Sequence, residues 1–389
     1  MLYAIGDSGA DVENQFDLFS TFPNIVHVTF KELMGTKQVI DNDAGIILFF
    51  PYELWDTLVE TGSGLYGANF KENICKLEGH LQKQLERVFP EALYVNEPDV
   101  FALERDKRET KDFLCRHGIS VTPDVPKNIS TIKNELAKGN CVYVKVRHGS
   151  MGKGITRLEE GKWLTNFRYA KGEIENHPSD FEWKTIDVTN DVAFLEKLLS
   201  EDVLVEKGVE TPRELGAKFD IRGVFVYGRL AELYGRASHN PLITNLSQGG
   251  RCLEPRDLIE MIGVDKLAEA TTHMYEANRV FGTNLLGVDL AFDKNLVPYV
   301  MEVNSFPGLG HGIDEEDIRD ALLRDVHSNL TDAHARKMAV SLGSQSAVST
   351  VRRVQHQPSG KIGPMFRLPN LLQATSSHNR RGEPSRSGA

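Results

Sequence analysis

Two apolar runs, Asn284–Phe292 and Val297–Val303, are separated by little more than the turn Asp293-Lys294-Asn295. Such runs read as two strands of one hairpin. What they carry constrains the fold. Glu302 and Asn304 are two residues apart, so on a strand they leave the same face. Asp289 lies on the preceding strand, where pairing brings it beside Glu302. A carboxylate and an amide on an otherwise apolar strand need partners. Two carboxylates and an amide oxygen make an oxygen-only site that suits magnesium when phosphates supply the remaining ligands. The blander alternative is that Glu302 and Asn304 cap a strand end and Asp289 is a solvated turn residue.

Around this hairpin the chain is long enough, at 389 residues, for two or three lobes. It is 40% apolar and 26% charged, as soluble globular proteins are. A net charge of −10 argues against nucleic acid as a partner held by bulk electrostatics. The charge is uneven: from Val340 to Ala389 seven Lys/Arg stand against one acid, so that stretch is +6 and the rest −16. Cys75, Cys115, Cys141 and Cys252 form no CxxC pair, which argues against a zinc or disulfide framework. The longest apolar run, Ala44–Phe50, is too short to span a membrane. A reducing, cytoplasmic setting is expected.

Residues 1–105 read as an α/β lobe with strands at Leu2–Ile5, Ile25–Phe30 and Gly45–Phe50, in a parallel sheet. A helix is expected over Asn73–Phe89, and another, amphipathic, over Asp106–His117. The strand Asn140–Val146 runs into a glycine-rich loop, His148–Gly154, followed by a strand at Ile155–Leu158. Residues 159–190, with Trp163, Phe167, Tyr169, Phe181 and Trp183 in polar sequence, read as a β-hairpin insertion. Further on come a helix at Val192–Leu199, a strand at Val203–Val205, a hairpin at Ile221–Val226 and Arg229–Leu233, one long helical stretch at Asp257–Phe281 and a helix at Ile313–Leu323. Residues 343–389, rich in Ser, Gly, Pro, Gln and Arg, read as a disordered basic tail.

Lys145 alternates with apolar neighbours in Tyr143-Val144-Lys145-Val146, so it is either a snorkelling surface residue or a fixed phosphate contact. The loop after it offers backbone N–H groups that can close over phosphates. It lacks the GK[ST] of a Walker A loop, and glycine-rich hairpins are common. Arg222, in Lys218-Phe219-Asp220-Ile221-Arg222, and Arg236 fall on neighbouring strands. Two inward arginines suit a phosphoryl or acyl-phosphate group; singly, each reads better as a surface arginine balancing an acidic body.

The order of these signals resembles the ATP-grasp superfamily, in particular its glutathione-synthetase-like and glutamate-ligase-like (RimK-type) branches. It runs from the lysine and glycine loop through Glu206-Lys207-Gly208-Val209, Lys-x-Asp-x-Arg, Arg236 and Asn245-Leu246-Ser247-Gln248-Gly249-Gly250 to Asp289 and Glu302-Val303-Asn304-Ser305-Phe306-Pro307-Gly308. The resemblance covers residues 106–312. It implies an α/β architecture, an ATP-grasp fold behind an N-terminal α/β domain. The domains would be 1–105, 106–205 with the insertion 159–190, 206–342, and the tail 343–389.

The resemblance also implies roles. Lys145 and a second lysine, Lys207 or Lys218, would contact the ATP phosphates. Glu206–Val209 would line the adenine pocket, largely through backbone groups. Gly149, Ser150, Met151, Gly152 and Gly154 would belong to a lid over the triphosphate. Glu210 and Glu214 both remain open as the ribose contact. Asp289, Glu302 and Asn304 would hold Mg2+, with Mn2+ as a substitute. Arg222 and Arg236 would steady an acyl phosphate, and Asn245 the metal–phosphate region or the substrate. The implied activity joins a carboxylate to an amine with ATP. The acceptor is a free amino acid, a peptide or the end of a protein, and members of the branch often form dimers or tetramers. A carboxylate or sugar-alcohol kinase on the same fold, or a non-catalytic nucleotide-binding module, are the competing readings.

Overall fold

The computed structural model describes residues 1–7, 25–41, 44–51, 70–148, 152–175, 184–209, 217–246 and 249–305, and singly 307, 324 and 328. All of them belong to one unit, Met1–Ala335. The expected helix Ile313–Leu323, the tail, Phe181, Trp183 and Glu210 lie outside the described residues.

The first sheet has the order β2-β1-β3-β4 and is parallel throughout. Its strands are β1 (Leu2–Gly6), β2 (Ile25–Thr29), β3 (Gly45–Leu48) and β4 (Leu93–Tyr94). Phe30 was expected to end a strand but starts helix α1 (Phe30–Gly35): Thr29 accepts from the Glu32 N–H and Glu32 caps back onto Thr29, and this capping box turns the chain into a helix. Helix α2 (Phe70–Val88) covers one face, packing Leu81 and Leu85 against Ile5, Leu33 and Ile46. The other face lays Ala4, Ile47 and Phe49 on Val224, Val226 and Leu285.

Next come α3 (Val100–Arg105), α4 (Lys107–Arg116) and α5 (Ile129–Ala137). The start of α4 is set by Asp106, whose carboxylate accepts from the N–H groups of Arg108 and Glu109. The second sheet is antiparallel, in the order β10-β7-β6-β5-β11. Along the chain it runs β5 (Val142–Val146), β6 (Ile155–Glu159), β7 (Lys162–Thr165), the small hairpin β8 (Arg168–Ala170) and β9 (Glu173–Glu175), β10 (Ile186–Asp187), helix α6 (Val192–Ser200) and β11 (Val203–Lys207). The described residues of 159–190 thus contain a hairpin, β8 and β9, but are also built into the lobe. β7 and β10 are strands of this sheet, and Trp163 and Phe167 are core residues beside Val144 and Leu195.

The third sheet, also antiparallel, has the order β14-β13-β12-β15-β16. It contains β12 (Lys218–Val226), β13 (Arg229–Ser238), β14 (Arg251–Leu253), β15 (Leu285–Phe292) and β16 (Pro298–Asn304), with α7 (Pro255–Ile262) and α8 (Val264–Phe281) between β14 and β15. The single helix expected over 257–281 is two, because Gly263 takes φ 82° and breaks the run. Odd-numbered residues of β12 and even-numbered residues of β15, among them Phe219, Ile221, Val288 and Leu290, face the two helices in one buried core. Of their alternates, Lys218, Asp220 and Asp289 line the cleft shared with the second sheet, while Val224, Val226 and Leu285 pack on the first. Residues 120–125 tie the two antiparallel sheets together: the Val300 N–H donates to Ser120 O (2.9 Å), the Val125 N–H to Val205 O (2.9 Å) and the Lys207 N–H to Pro123 O (2.8 Å).

Asn96, just past β4, joins the first sheet to the third. Its Oδ1 accepts from the N–H groups of Asn284 and Leu285, each at 3.0 Å. Its Nδ2 donates to the carbonyls of Leu285 (2.8 Å) and Ser305 (3.0 Å). All four partners are backbone groups, and three of the four bonds are buried. Asn96→Ala is expected to cost about 3 kcal/mol or more, the size expected when buried backbone groups lose their partners. Denaturant unfolding measures this as a lower midpoint; an unchanged midpoint would contradict it.

Candidate active site

Strand pairing lines up one residue from each of four strands: Tyr234 faces Arg222, Arg222 faces Asp289, and Asp289 faces Glu302. The register of β15 and β16 slips just past this row, between Asp289 and Leu290, and leaves Met301 as the extra residue of a bulge. Bulges re-aim side chains at such places. Arg222 grips Asp289 in two-pronged fashion, Nε on Oδ1 at 2.6 Å and Nη2 on Oδ2 at 2.7 Å. Arg236 does the same to Asp220 at 2.7 Å for both contacts, and its Nη2 also stands 3.0 Å from Asp289 Oδ2. Burial works to raise the Asp289 carboxyl, but Arg222 and then Arg236 outweigh it and hold it below its ordinary value. Arg222 and Arg236, expected to steady an acyl phosphate, thus each already grip a carboxylate through Nε and Nη2. Arg236 lines the cleft described next, whereas Arg222 stands behind it.

The cleft opens between the second and third sheets. From the third it is lined by Lys218, Asp220, Asp289 and Glu302, and from the second by Tyr143, Lys145, Glu206 and Lys207, with Val209 beyond the end of β11. Glu206 was expected to act through its backbone. Instead its buried carboxylate is clamped between two ammoniums, Lys145 Nζ at 2.8 Å and Lys111 Nζ at 2.8 Å. Burial pushes it up, and the two lysines bring it down to about 2. Among the backbone donors of that stretch, the Lys207 and Gly208 N–H groups are already given to Pro123 O and Cys141 O. Lys218 donates to Leu242 O (2.9 Å) and to the Tyr143 hydroxyl (3.2 Å). Burial, then the charge of Lys145, brings its ammonium down to about 8.

The far end of the glycine loop touches Asn245. Gly152 has φ 76°, and a Cβ there would stand 2.9 Å from Ile243 Cγ2 and 3.6 Å from Asn245 Oδ1. The stretch around Asn245 folds back on itself: the Gly250 N–H donates to Asn245 O at 3.1 Å, and a Cβ at Gly250 would be 2.3 Å from Thr244 O. Only glycine permits that approach. Gly152 and Asn245 line the cleft, whereas Gly154 backs onto Val146 and Phe167. Gly149, Ser150, Met151 and Glu214 lie outside the described residues.

Sequence reasoning missed Lys107, Lys111, Asp220 and Glu104, all in this cleft. Lys107 and Lys111 are one helical turn apart on α4, and nothing in the sequence says which wall that helix faces. Lys107 Nζ is 3.3 Å from Glu302 Oε1, so a cation already stands at that carboxylate. Asp220 was within reach: it lies two residues before Arg222, hence on the same face.

The donors of Asp289, Glu302 and Asn304 are all oxygen. Asp289 Oδ1 takes one guanidinium hydrogen and keeps room for another partner, while Glu302 is about a third exposed toward the cleft. Asn304 stands behind, its Nδ2 buried without a hydrogen bond among the described residues. Among the described residues no three His, Cys, Asp or Glu side chains converge as a metal cluster. The set therefore fits a hard cation only when a ligand completes the shell, as phosphates do for magnesium.

The family model for YheC/D-like ATP-grasp proteins matches residues 122–327. No curated protein sequence matches the chain. Among solved structures, the D-alanine–D-alanine ligase of Bacillus anthracis is 14% identical, with a TM-score of 0.51 over 87% of this chain and 99% of that one. The D-cycloserine synthetase DcsG is 12% identical, with a TM-score of 0.51 over 84% of this chain and 100% of that one. The ATP-grasp ligase PsnB, solved with a phosphomimetic variant of its minimal precursor, Mg and ADP, is 11% identical, with a TM-score of 0.50 over 83% and 98%. At these identities the likeness is one of fold. No helix among the described residues is long and apolar enough to cross a membrane.

Lys218 supplies a pH test of the cleft. An anion bound beside it restores the charged form that burial and Lys145 disfavour. At pH 8.5, above its value of about 8, binding of ADP is expected to take up a fraction of a proton, and the Lys218→Met protein should take up none. Calorimetry in two buffers of different ionisation enthalpy reads this; equal heats in both buffers would contradict it.

Proposed function

The chain belongs to the YheC/D-like ATP-grasp family, and from that premise we propose that it is an ATP- and Mg2+-dependent ligase that joins a carboxylate to an amine through an acyl phosphate. One observation carries the reading: a single cleft gathers lysines from two sheets, Lys145 and Lys218, with the Asp289–Glu302 carboxylate pair. The cationic groups suit polyphosphate, and the hard oxygen donors suit the ion that accompanies it.

In this scheme Lys145, Lys218 and Lys107 hold the phosphates, with Lys107 giving up Glu302 to do so. Asp289, Glu302 and Asn304 would hold Mg2+, which when bound supplies charge neutralisation for phosphoryl transfer. An oxygen of the acid attacks the γ-phosphorus, ADP leaves, and the acid gains a leaving group far better than oxide. The amine nitrogen then attacks the acyl carbon, inorganic phosphate departs, and it carries off the proton the amine must lose. Such steps depend mainly on positioning and electrostatics. Arg236, at the cleft wall, is the side chain placed to meet oxyanion charge. Arg222 serves by fixing Asp289. The closing loop that would exclude water is the stretch ending at Gly152.

Substrates are expected to be amino acids, or an amino acid and the end of a peptide or protein. A homo-oligomer, a cytoplasmic setting and Mn2+ as a substitute ion belong to the same reading.

ATP consumption with Mg2+, measured against amino acids and acidic peptides singly and in pairs, tests it. ADP and phosphate are expected only with a suitable pair, with a product one water lighter than the sum of the two. AMP would overturn the acyl-phosphate route. A stable phosphorylated acid with no amide would favour the kinase. Glu302→Gln is expected to lower kcat about a hundredfold or more, with ADP affinity in the absence of metal within threefold of wild type. Full turnover by that variant would contradict the metal assignment.

A further inference from the structure

Glu104 sits in the last turn of α3 and is buried, though carboxylates are seldom found inside without a task. Its Oε2 accepts both hydrogens that Ser305 can offer, the backbone N–H at 2.9 Å and the hydroxyl. Ser305 is fully buried and directly follows Asn304, the last residue of β16. The N–H of Ser305 shares a rigid peptide plane with the carbonyl of Asn304. Fixing that plane fixes the backbone from which the Asn304 side chain leaves, two residues after Glu302.

Two further contacts act at the same point. Asn96 Nδ2 holds the carbonyl of Ser305 at 3.0 Å, so both backbone polar groups of this residue are held by side chains from outside the sheet. Pro307 packs over Gly287, the strand partner of Asn304, so closely that a Cβ at Gly287 would stand 2.7 Å from Pro307 Cβ. A strand end is where ladder hydrogen bonds run out, and it frays unless something else holds it.

The residues that follow Glu104 reach the other parts of the same site. Asp106 takes both prongs of Arg147, at 2.7 and 2.6 Å, at the stem of the glycine loop. Lys107 stands at Glu302. The short segment from Glu104 to Lys107, which leads into α4, thus contacts the loop stem, the carboxylate and the end of the strand.

We propose that Glu104 is a positioning residue for the cation site of β16: by clamping Ser305 it sets the directions of Asn304 and Glu302 without touching the ion. This rests on the reading of Asp289, Glu302 and Asn304 as the metal ligands. Outer contacts of this kind typically carry a tenfold to hundredfold effect on metal affinity.

The test is Mn2+ binding, followed by electron paramagnetic resonance, to the full chain with a non-hydrolysable ATP analogue. Affinity for the same analogue without metal is measured in parallel. Glu104→Ala is expected to weaken Mn2+ about tenfold and to leave metal-free analogue affinity within twofold. Glu104→Gln, which keeps an acceptor oxygen for Ser305, should recover most of the loss. Mn2+ affinity in folded Glu104→Ala equal to wild type, or an equal fall in metal-free analogue affinity, would overturn the proposal. Should Glu104→Ala fail to fold, Ser305→Ala decides: it removes the hydroxyl alone, a loss of about threefold is expected, and unchanged Mn2+ affinity would overturn the proposal. A wild-type protein that binds the analogue but no Mn2+ fails earlier, at the metal assignment itself.

Discussion

Asp289 is a buried carboxylate that takes hydrogen bonds from two guanidiniums, and Asp220 is the second carboxylate that lets the two arginines share the interior with it. Two acids and two bases make a neutral block. Removing any one member would strand a buried charge, a loss of about 3–5 kcal/mol in comparable systems. The block needs β13, β12 and β15 side by side in this register, because only then do Arg236, Asp220, Arg222 and Asp289 meet on one face. The opposite face is free to be apolar and to pack on α7 and α8. With Asp289 neutralised in this way, Glu302 is the more exposed carboxylate of the pair, with Lys107 beside it.

The other wall repeats the device. Glu206 is buried between Lys145 and Lys111. Lys145 belongs to the second sheet, whereas Lys111 comes from α4, whose Leu114 is part of the core beneath the third. This ion triplet therefore spans the two lobes that form the cleft. Residues 120–125 span them again through backbone hydrogen bonds. In the proposed ligase this arrangement keeps Lys145 in register with the strands that carry Asp289 and Glu302, and phosphoryl transfer depends on such positioning.

Much of this was legible in the sequence, for a physical reason. Strands alternate, so Asp289, Glu302, Lys218 and Arg222 announced themselves as polar positions in apolar runs, and a short turn fixed which strands were neighbours. The first sheet was legible because buried parallel strands are short, nearly all-apolar runs. Three things were not. The capping box at Thr29 and Glu32 and the left-handed Gly263 are single-residue events inside longer patterns, and they moved element boundaries. The strands within 159–190 are only two to four residues long, too short to show a period, so they read as an insertion although β7 and β10 complete a sheet. The partners of the charged residues depend on tertiary placement. Nothing local says that Glu206 meets Lys111, or that Glu104 meets Ser305 two hundred positions on. The resemblance pointed to glutathione-synthetase-like and RimK-type ligases, while the family matched is the YheC/D-like one; the ATP-grasp superfamily is common to both.

The most direct test of the proposed acyl transfer follows the oxygen. With the acid–amine pair that sustains turnover, the acid is labelled with 18O in its carboxylate and inorganic phosphate is examined by 31P NMR for the isotope shift. The account predicts one 18O atom in each phosphate released, with ADP as the other nucleotide product. Label in AMP, or unlabelled phosphate alongside full amide formation, would contradict it.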